Sequence, residues 1–271
     1  MRVIFVPVSD TPECVVALKS AFSLGYQLDA SVHGCHFRPH KESSISLTTN
    51  EINAGQTKCI HAKKVFEKLA NDNDYKLINK PKKKPGALWL EKTGTTSKIF
   101  SIMGPVSDLI IVSRPIKEGS SIAREFMMSA ILKSSSPVLV LPQSQFQQVG
   151  KIIAIAWNQS PQAALAVSMA MPLLCKAKQV NILTFGEESK VGPKSSHLTK
   201  YLASWGIKAQ RLIVEGKNDA QSLLGGYKQS QSDLLVMGGY SRNRLRQRVF
   251  GGVTDYMLNK ANIPVLMMHT Q

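Results

Sequence analysis

Acidic residues are scarce in this chain of 271 residues, because 18 Asp and Glu stand against 34 Lys and Arg and leave a formal net charge of +16. Long apolar runs are also missing: residues 137–142 and 152–157 fall far short of the roughly 20 residues that cross a bilayer. We therefore expect no membrane-spanning segment. The excess of positive charge favours anionic partners such as nucleotides, nucleic acid or anionic surfaces.

Cysteine pairs and a secretion signal are lacking as well. The four cysteines are widely spaced and form no CxxC pair, a pattern typical of free thiols in a reducing compartment. The first apolar run meets Pro7, Asp10 and Glu13, where a signal peptide would continue its apolar core. We therefore expect a cytoplasmic protein.

The motifs of common catalytic sites are absent from the sequence. It contains no nucleophile elbow, no HExxH pair and no P-loop of the form GxxxxGK(S/T). Asp219 and Asp255 are isolated, so we expect them to cap or solvate helices and not to act as a catalytic pair. The sequence therefore predicts a protein that is not an enzyme.

Residues 31–40 (SVHGCHFRPH) concentrate histidine and cysteine, which are metal-ligand residue types. Along a strand, His33 and Cys35 would share one face while His36 would lie on the other. The spacing to His40 matches no standard metal site. We therefore expect no bound metal.

The sequence contains two copies of one pattern of predicted strands and helices. Residues 2–8 (RVIFVPV) and 151–157 (KIIAIAW) are apolar runs typical of buried strands, and a polar turn and helical periodicity follow each. Further along, residues 108–114 (DLIIVSR) match residues 233–239 (DLLVMGG). Strands that alternate with helices predict parallel sheets with right-handed crossovers.

Each copy begins with a predicted helix after its first strand, over residues 12–28 and 161–174. In both, a proline stands in the first turn, where a helix tolerates it, and follows Thr11 or Ser160 as the predicted N-cap. The repeat therefore predicts an α/β protein with two tandem open, mostly parallel five-stranded sheets and flanking helices. In the second half, the strands are predicted near residues 151–157, 179–185, 208–214, 233–237 and 264–268.

The join between the copies is predicted within residues 143–150 (QSQFQQVG), a polar stretch between a closing and an opening strand. We accordingly divide the chain into a first domain of residues 1–146 and a second domain of residues 147–271.

Residues 237–254 (MGGYSRNRLRQRVFGGVT) form the most informative segment, which lies between a predicted strand and a predicted helix. Gly251 and Gly252 would let backbone amides approach a phosphate without a Cβ in the way, and a helix N-terminus favours anions. Arg242 and Arg244 add positive charge beside them. The alternative is that the glycines only make turns and the arginines form a solvated face.

These residues resemble the universal stress protein family. The similarity is strongest in VMGGYSRNRLRQRVFGGVTDYML, in the following IPVLMM and in IAIAWNQSPQAALAV, and it covers nearly the whole chain twice. The resemblance implies a Rossmann-like fold related to other nucleotide-binding folds. In nucleotide-binding members it also implies a glycine signature, G-x2-G-x9-G-(S/T), and an acidic residue after the first strand.

The second domain keeps part of that signature. Gly238 and Gly251 match it, whereas Ser241 stands at the second glycine and Gly252 at the Ser/Thr position. Asn158 replaces the acidic residue and keeps a hydrogen-bonding side chain near the expected ribose. The resemblance thus implies ATP or a related adenine nucleotide, with or without Mg²⁺, as the ligand. The residues expected to contact it are Asn158, Gly238, Ser241, Arg242, Arg244, Gly251, Gly252, Val253 and Thr254, with Thr184, Phe185 and Val214 near the base.

The first domain departs further from the signature. Asp10 fits the acidic position, but residues 113–123 have no glycine at the strand exit and only Gly119 within the loop. We interpret this domain as degenerate, with structural and dimer-forming roles. Family members often pair through their last strands, so we expect residues 138–141 and 264–268 to pair within one chain or in a homodimer.

The sequence therefore predicts a stress-response protein that binds an adenine nucleotide in its second domain and acts as a ligand-responsive module. One alternative is a tandem scaffold that binds other proteins and no nucleotide. Binding of nucleic acid through the net charge is a third hypothesis. We do not expect it, because the basic run at residues 80–85 (KPKKKP) lacks aromatic partners for base stacking and is typical of a solvated loop.

Overall fold

The computed structural model describes residues 1–38, 49–116, 121–143, 148–188, 191–216, 220–239 and 252–268. The chain divides into two compact units, Met1–Phe146 and Gln147–Gln271, here called the N-terminal and C-terminal units. No helix within the described residues is long and apolar enough to span a membrane.

In the described part of the N-terminal unit, strands alternate with helices except that β4 follows β3 directly. The elements are β1 (Val3–Val8), α1 (Pro12–Leu28), β2 (Ser31–Arg38), α2 (Thr49–Asp72), β3 (Leu77–Ile78), β4 (Ala87–Thr93), α3 (Thr96–Met103), β5 (Leu109–Ser113), α4 (Ser121–Lys133) and β6 (Val138–Leu141). The strands pair in the order β3-β4-β2-β1-β5-β6, and each of these pairs is parallel. Four phenylalanines are fully buried in its core, where Phe5 packs against Phe100 and Phe22 packs against Phe66.

The C-terminal unit repeats this plan. Its described elements are β7 (Ile152–Ala156), α5 (Pro161–Leu174), β8 (Gln179–Phe185), α6 (Ser195–Ala203), β9 (Ala209–Val214), α7 (Ala220–Gln229), β10 (Leu234–Gly238), α8 (Gly252–Asn259) and β11 (Val265–Met268). The strands pair in the order β11-β10-β7-β8-β9, and these pairs are also parallel.

One aspartate in each unit ties the start of the first strand to the start of a neighbouring strand. Asp108 accepts the backbone N–H groups of Arg2 and Val3 at 2.6 and 2.8 Å. Asp233 accepts those of Gly150 and Lys151 at 2.6 and 2.9 Å, and also that of the next residue at 3.1 Å. The repeat therefore extends to hydrogen bonds that join residues more than 80 positions apart.

The predicted fold class is confirmed, with two local differences. The N-terminal sheet gains the short strand β3, which has two residues and therefore no readable periodicity. The side chain of Ser160 accepts the backbone N–H of Ala163 at 3.2 Å as an N-cap, whereas Thr11 holds the N-cap position of α1 without such a bond. The predicted bounds of α1 and α5 agree with the structure.

Candidate functional site

The order of the strands places a crevice at the carboxyl edge of the C-terminal sheet. From β7 the chain moves outward through β8 and β9, and then returns to the other side of β7 as β10 and β11. Ligands of open α/β sheets bind beyond the carboxyl ends of the strands at such a switch point. The candidate site therefore lies where β7 and β10 end.

Helix α8 begins at this edge, because it connects the end of β10 to the start of the parallel strand β11. The first residue of α8, Gly252, is exposed, and a Cβ added to it would meet no heavy atom of the described residues within 4 Å. Val253 and Thr254 follow in the first turn, both half-buried. The first backbone N–H groups of a helix have no partner inside it, so this open terminus can accept an anion.

Gly238 has a different role from Gly252. An added Cβ at Gly238 would lie 2.7 Å from the backbone nitrogen of Ala163 and 2.7 Å from the carbonyl carbon of Gln162. The end of β10 therefore lies directly against the first turn of α5. Glycine at position 238 is required by the packing of a strand on a helix, whatever ligand binds nearby.

Asn158 lies in the turn between β7 and α5 and is exposed. Its Oδ1 accepts the backbone N–H of Ser160 at 3.2 Å and the Ser160 hydroxyl at 2.6 Å. The side-chain oxygen is thus used to form the turn that starts α5. The amide NH₂ group is the part of Asn158 that remains for a ligand.

The segment before α6 is tied to the end of β7. The indole nitrogen of Trp157 donates to the carbonyl of Pro193 at 2.8 Å, and the side chain of Gln159 donates to the carbonyl of Gly192 at 3.3 Å. These bonds fix the described residues 191–194 beside the candidate site.

An open cavity of about 620 Å³ lies beyond the ends of β8 and β9, at the same edge of the sheet. Thr184 of β8 and Gly186, which follows β8, line it on one side, and Arg211 and Ile213 line it from β9. Glu188 also borders the cavity and accepts both the backbone N–H and the hydroxyl of Ser195, at 2.6 and 2.9 Å. Of the residues expected near the base, Thr184 is the one that lines this cavity.

The corresponding edge of the N-terminal unit is filled by its own side chains. Glu13 is buried in the first turn of α1, and its Oε1 accepts the backbone N–H of Ile116 at 3.1 Å. Arg114, next to the end of β5, is also buried, and burial lowers its pKa to about 10. The acidic residue Asp10 lies 2.7 Å from Nδ1 of His61. These contacts occupy groups that an anionic ligand or a ribose would otherwise meet.

The histidines and the cysteine of β2 are held by burial and by packing contacts within the N-terminal unit. Burial lowers the pKa of His33 and raises that of Cys35 to about 12, so both are held uncharged at neutral pH. Nδ1 of His36 lies 3.0 Å from the carbonyl of Val8, and its ring stacks on Trp89 at a centroid distance of 6.4 Å. Within the described residues, no three His, Cys, Asp or Glu side chains are arranged to hold a metal ion.

Four of the predicted site residues, Ser241, Arg242, Arg244 and Gly251, lie outside the described residues, as do Asp219, His40 and Gly119. Sequence reasoning did not identify Glu13 as the residue that fills the N-terminal edge. The signal available was its alignment with Gln162: each stands immediately after the proline that opens the first helix of its unit.

A model of the universal stress protein family matches residues 157–269, which form most of the C-terminal unit. The universal stress protein Slr1230 of Synechocystis sp. is 30% identical over 145 residues, which make up 51% of this chain and 49% of that protein. The chain thus spans about half the length of the curated relative that it matches.

Two solved structures share the fold of nearly the whole chain. A universal stress protein from Archaeoglobus fulgidus DSM 4304 has a TM-score of 0.75 at 11% identity, over 98% of this chain and 96% of the other. A protein of unknown function from Pseudomonas aeruginosa PAO1 has a TM-score of 0.57 at 14% identity, over 99% and 92%.

The fold and these matches define a tandem α/β protein whose C-terminal half is a universal stress protein domain. Residues 157–269 therefore belong to the universal stress protein family.

Proposed function

We propose that the chain acts in the stress response as a ligand-responsive module whose C-terminal unit binds ATP or a closely related adenine nucleotide. The observation that carries this proposal is the open first turn of α8 at the switch point of the sheet. Backbone amides at such a position bind phosphate groups, because they are unpaired and lie at the positive end of the helix dipole.

In this proposal, the amides of Gly252 and Val253 hold phosphate oxygens and the hydroxyl of Thr254 donates to another. The amide NH₂ of Asn158 contacts the ribose, because its oxygen is already bonded to Ser160. The base lies toward the cavity next to Thr184. The family signature adds Gly238, Gly251 and Ser241 to the phosphate loop, and Arg242 and Arg244 supply positive charge.

We propose a structural role for the N-terminal unit, with the nucleotide bound by the C-terminal unit alone. Its last strand, β6, and β11 are proposed to pair within the chain or in a homodimer. We propose binding and no turnover of the nucleotide, and we treat Mg²⁺ as a variable of the binding experiment.

Isothermal titration calorimetry with ATP, with and without Mg²⁺, tests the proposal on the Gly252→Ala variant. The added Cβ meets no heavy atom of the described part of the chain within 4 Å, so a loss of affinity reports on the ligand and not on misfolding. We expect binding to weaken about tenfold, equivalent to roughly 1.4 kcal/mol, because the methyl group stands where a phosphate approaches.

Gly225→Ala is the matched control. Gly225 is an exposed glycine within α7, and a Cβ added there also meets nothing within 4 Å. We expect this variant to bind ATP as the wild type does. If the wild type binds no ATP, the nucleotide proposal is wrong and the scaffold hypothesis replaces it. If the wild type and both variants bind ATP equally well, the nucleotide does not lie at the start of α8.

A further inference from the structure

The amino edge of the C-terminal sheet, opposite the candidate nucleotide site, carries a row of lysines. Lys151, Lys178 and Lys208 each stand immediately before a strand, and these strands, β7, β8 and β9, are adjacent and parallel. The register pairs Ile152 with Gln179 and Val180 with Ala209, so Lys151 is level with Lys178, and Lys208 is level with Gln179, one position further along, at a strand spacing of about 4.8 Å. All three are exposed.

An exposed tryptophan lies in the turn that leads to Lys208. Helix α6 ends at Ala203, and Gly206 has a φ of +75°, which lets the chain reverse tightly after the helix. Ile207 is buried and its N–H donates to the carbonyl of Leu202 at 3.0 Å, which fixes the turn. Trp205 is directed outward and is 56% exposed. A well-ordered turn therefore holds a large aromatic ring in solvent.

Lys178, Trp205 and Lys208 line one open groove of about 250 Å³ between the turn before β8 and the turn before β9. Its lining, as far as the structure describes it, contains no acidic residue. Asp233 lies on the same edge but accepts three backbone N–H groups. Among the residues that the structure describes, none of the three lysines forms an ion pair.

From this arrangement we infer that the amino-edge groove binds single-stranded nucleic acid, with a base stacked on Trp205 and phosphates contacted by Lys151, Lys178 and Lys208. A positive groove combined with an aromatic ring is what proteins use to bind single strands without sequence preference. A duplex offers no free base for stacking, and a flat bilayer does not fit a ring that lines a concave groove. This inference does not depend on the proposed nucleotide site.

In the sequence, the reasons to consider nucleic acid are the net charge and the basic run at residues 80–85, which contains no aromatic residue. The fold supplies what was missing, because it brings lysines from three separate strand starts to one edge beside Trp205.

Fluorescence anisotropy tests the inference with the full chain and a fluorescein-labelled oligothymidylate of about 15 nucleotides, a length within the range of known single-strand sites. The association constant is measured between about 50 and 200 mM salt. A plot of its logarithm against the logarithm of the salt concentration should have a slope of about −2, because each neutralised phosphate contributes about 0.7. The double variant Lys178→Ala, Lys208→Ala should reduce the magnitude of this slope by about 1.4.

Trp205→Ala should weaken binding about 5- to 100-fold, which is the effect expected when one base loses its stacking partner. Trp205→Phe should restore most of the affinity, because phenylalanine also presents an aromatic face. Lys82→Ala, Lys84→Ala removes the same charge from the exposed basic run of the N-terminal unit and should leave affinity within about twofold of the wild type. Gly252→Ala should have no effect on this binding.

Three outcomes would overturn the inference. One is no binding of the oligonucleotide by the wild type at low salt. The second is an equal loss of affinity in the two double-lysine variants together with no effect of Trp205→Ala, which would indicate general electrostatic attraction. The third is binding to vesicles of anionic phospholipid, again dependent on Trp205, without binding to the oligonucleotide, which would assign the groove to a membrane surface.

Discussion

At the carboxyl edge of the N-terminal unit, the carboxylate of Glu13 accepts the N–H of Ile116. In the C-terminal unit, the aligned residue is Gln162, which packs beside Gly238 and carries no charge. The first edge is further occupied by the Asp10–His61 pair, whereas at the second edge the described residues leave Gly252, the first residue of α8, exposed.

The two units share a fold but differ at the edge where a ligand would bind. Both units have a parallel sheet, a switch point and a helix after the first strand, so the fold alone does not make a binding site. The two units differ in the groups that accept hydrogen bonds from the backbone N–H groups beyond the carboxyl ends of the strands. At the N-terminal edge an internal carboxylate accepts such an N–H group, and at the C-terminal edge we propose that an external anion does.

The largest effect on stability is expected from Gly238→Ala, which disrupts the packing of β10 against α5 at the C-terminal edge. The new Cβ meets backbone atoms of α5 at 2.7 Å, and backbone cannot move aside as a flexible side chain does. We expect the free energy of unfolding to fall by about 3 kcal/mol, as measured by urea unfolding followed by circular dichroism. Gly252→Ala, at the same edge, should cost less than about 0.5 kcal/mol. Equal stability of the two variants would contradict the close packing of Gly238.

Glu13→Gln tests the internal carboxylate of the N-terminal edge. The substitution keeps the shape of the side chain but replaces a charged acceptor with a neutral one. We expect a loss of about 2 kcal/mol in the free energy of unfolding, because hydrogen bonds to charged groups are stronger than neutral ones. Gln162→Ala, at the aligned position, should change it by less than about 0.5 kcal/mol. A neutral effect of Glu13→Gln would show that the carboxylate does not stabilise this edge.

Gln162→Glu would make the C-terminal edge resemble the N-terminal one. A carboxylate beside Gly238 repels phosphate, so we expect ATP to bind about tenfold more weakly in calorimetry at low salt. Gln229→Glu, at the end of α7, adds the same charge at the opposite edge of the sheet and should leave affinity nearly unchanged. If both variants bind ATP like the wild type, the ligand does not lie near Gln162.

The smallest effect concerns pH and compares His33 with Asn181, the aligned residue, which is buried and cannot titrate. Burial lowers the pKa of His33, so the unfolded chain takes up a proton before the folded chain does. Stability is therefore complete above the unfolded pKa of about 6.5 and falls as the pH drops below it.

Urea midpoints at about pH 8 and about pH 5.5 measure this dependence on either side of the unfolded pKa. His33→Leu should reduce the loss at acid pH. An equal loss in the wild type and in His33→Leu would assign the acid sensitivity to other groups.

The fold could be predicted because its signals are local. A proline after a polar N-cap position and a buried apolar run recur in both halves, and they located α1, α5 and the C-terminal strands within a residue or two. Strand β3 was missed because two residues carry no pattern.

The state of each edge could not be predicted in the same way. Glu13 and Ile116 are 103 positions apart, and no spacing rule connects them. Gly238 and Gly252 both belong to the signature segment, yet only the packing around each shows that one is enclosed by α5 and the other is open.

The stoichiometry of ATP binding tests the central claim most directly, because the two edges of one chain are compared in a single titration. Calorimetry on the full chain should give one nucleotide bound per chain, with the binding weakened by Gly252→Ala and unchanged by Gly225→Ala. Two nucleotides per chain would mean that Glu13 does not close the N-terminal edge. No binding at all would mean that the start of α8 does not bind a nucleotide.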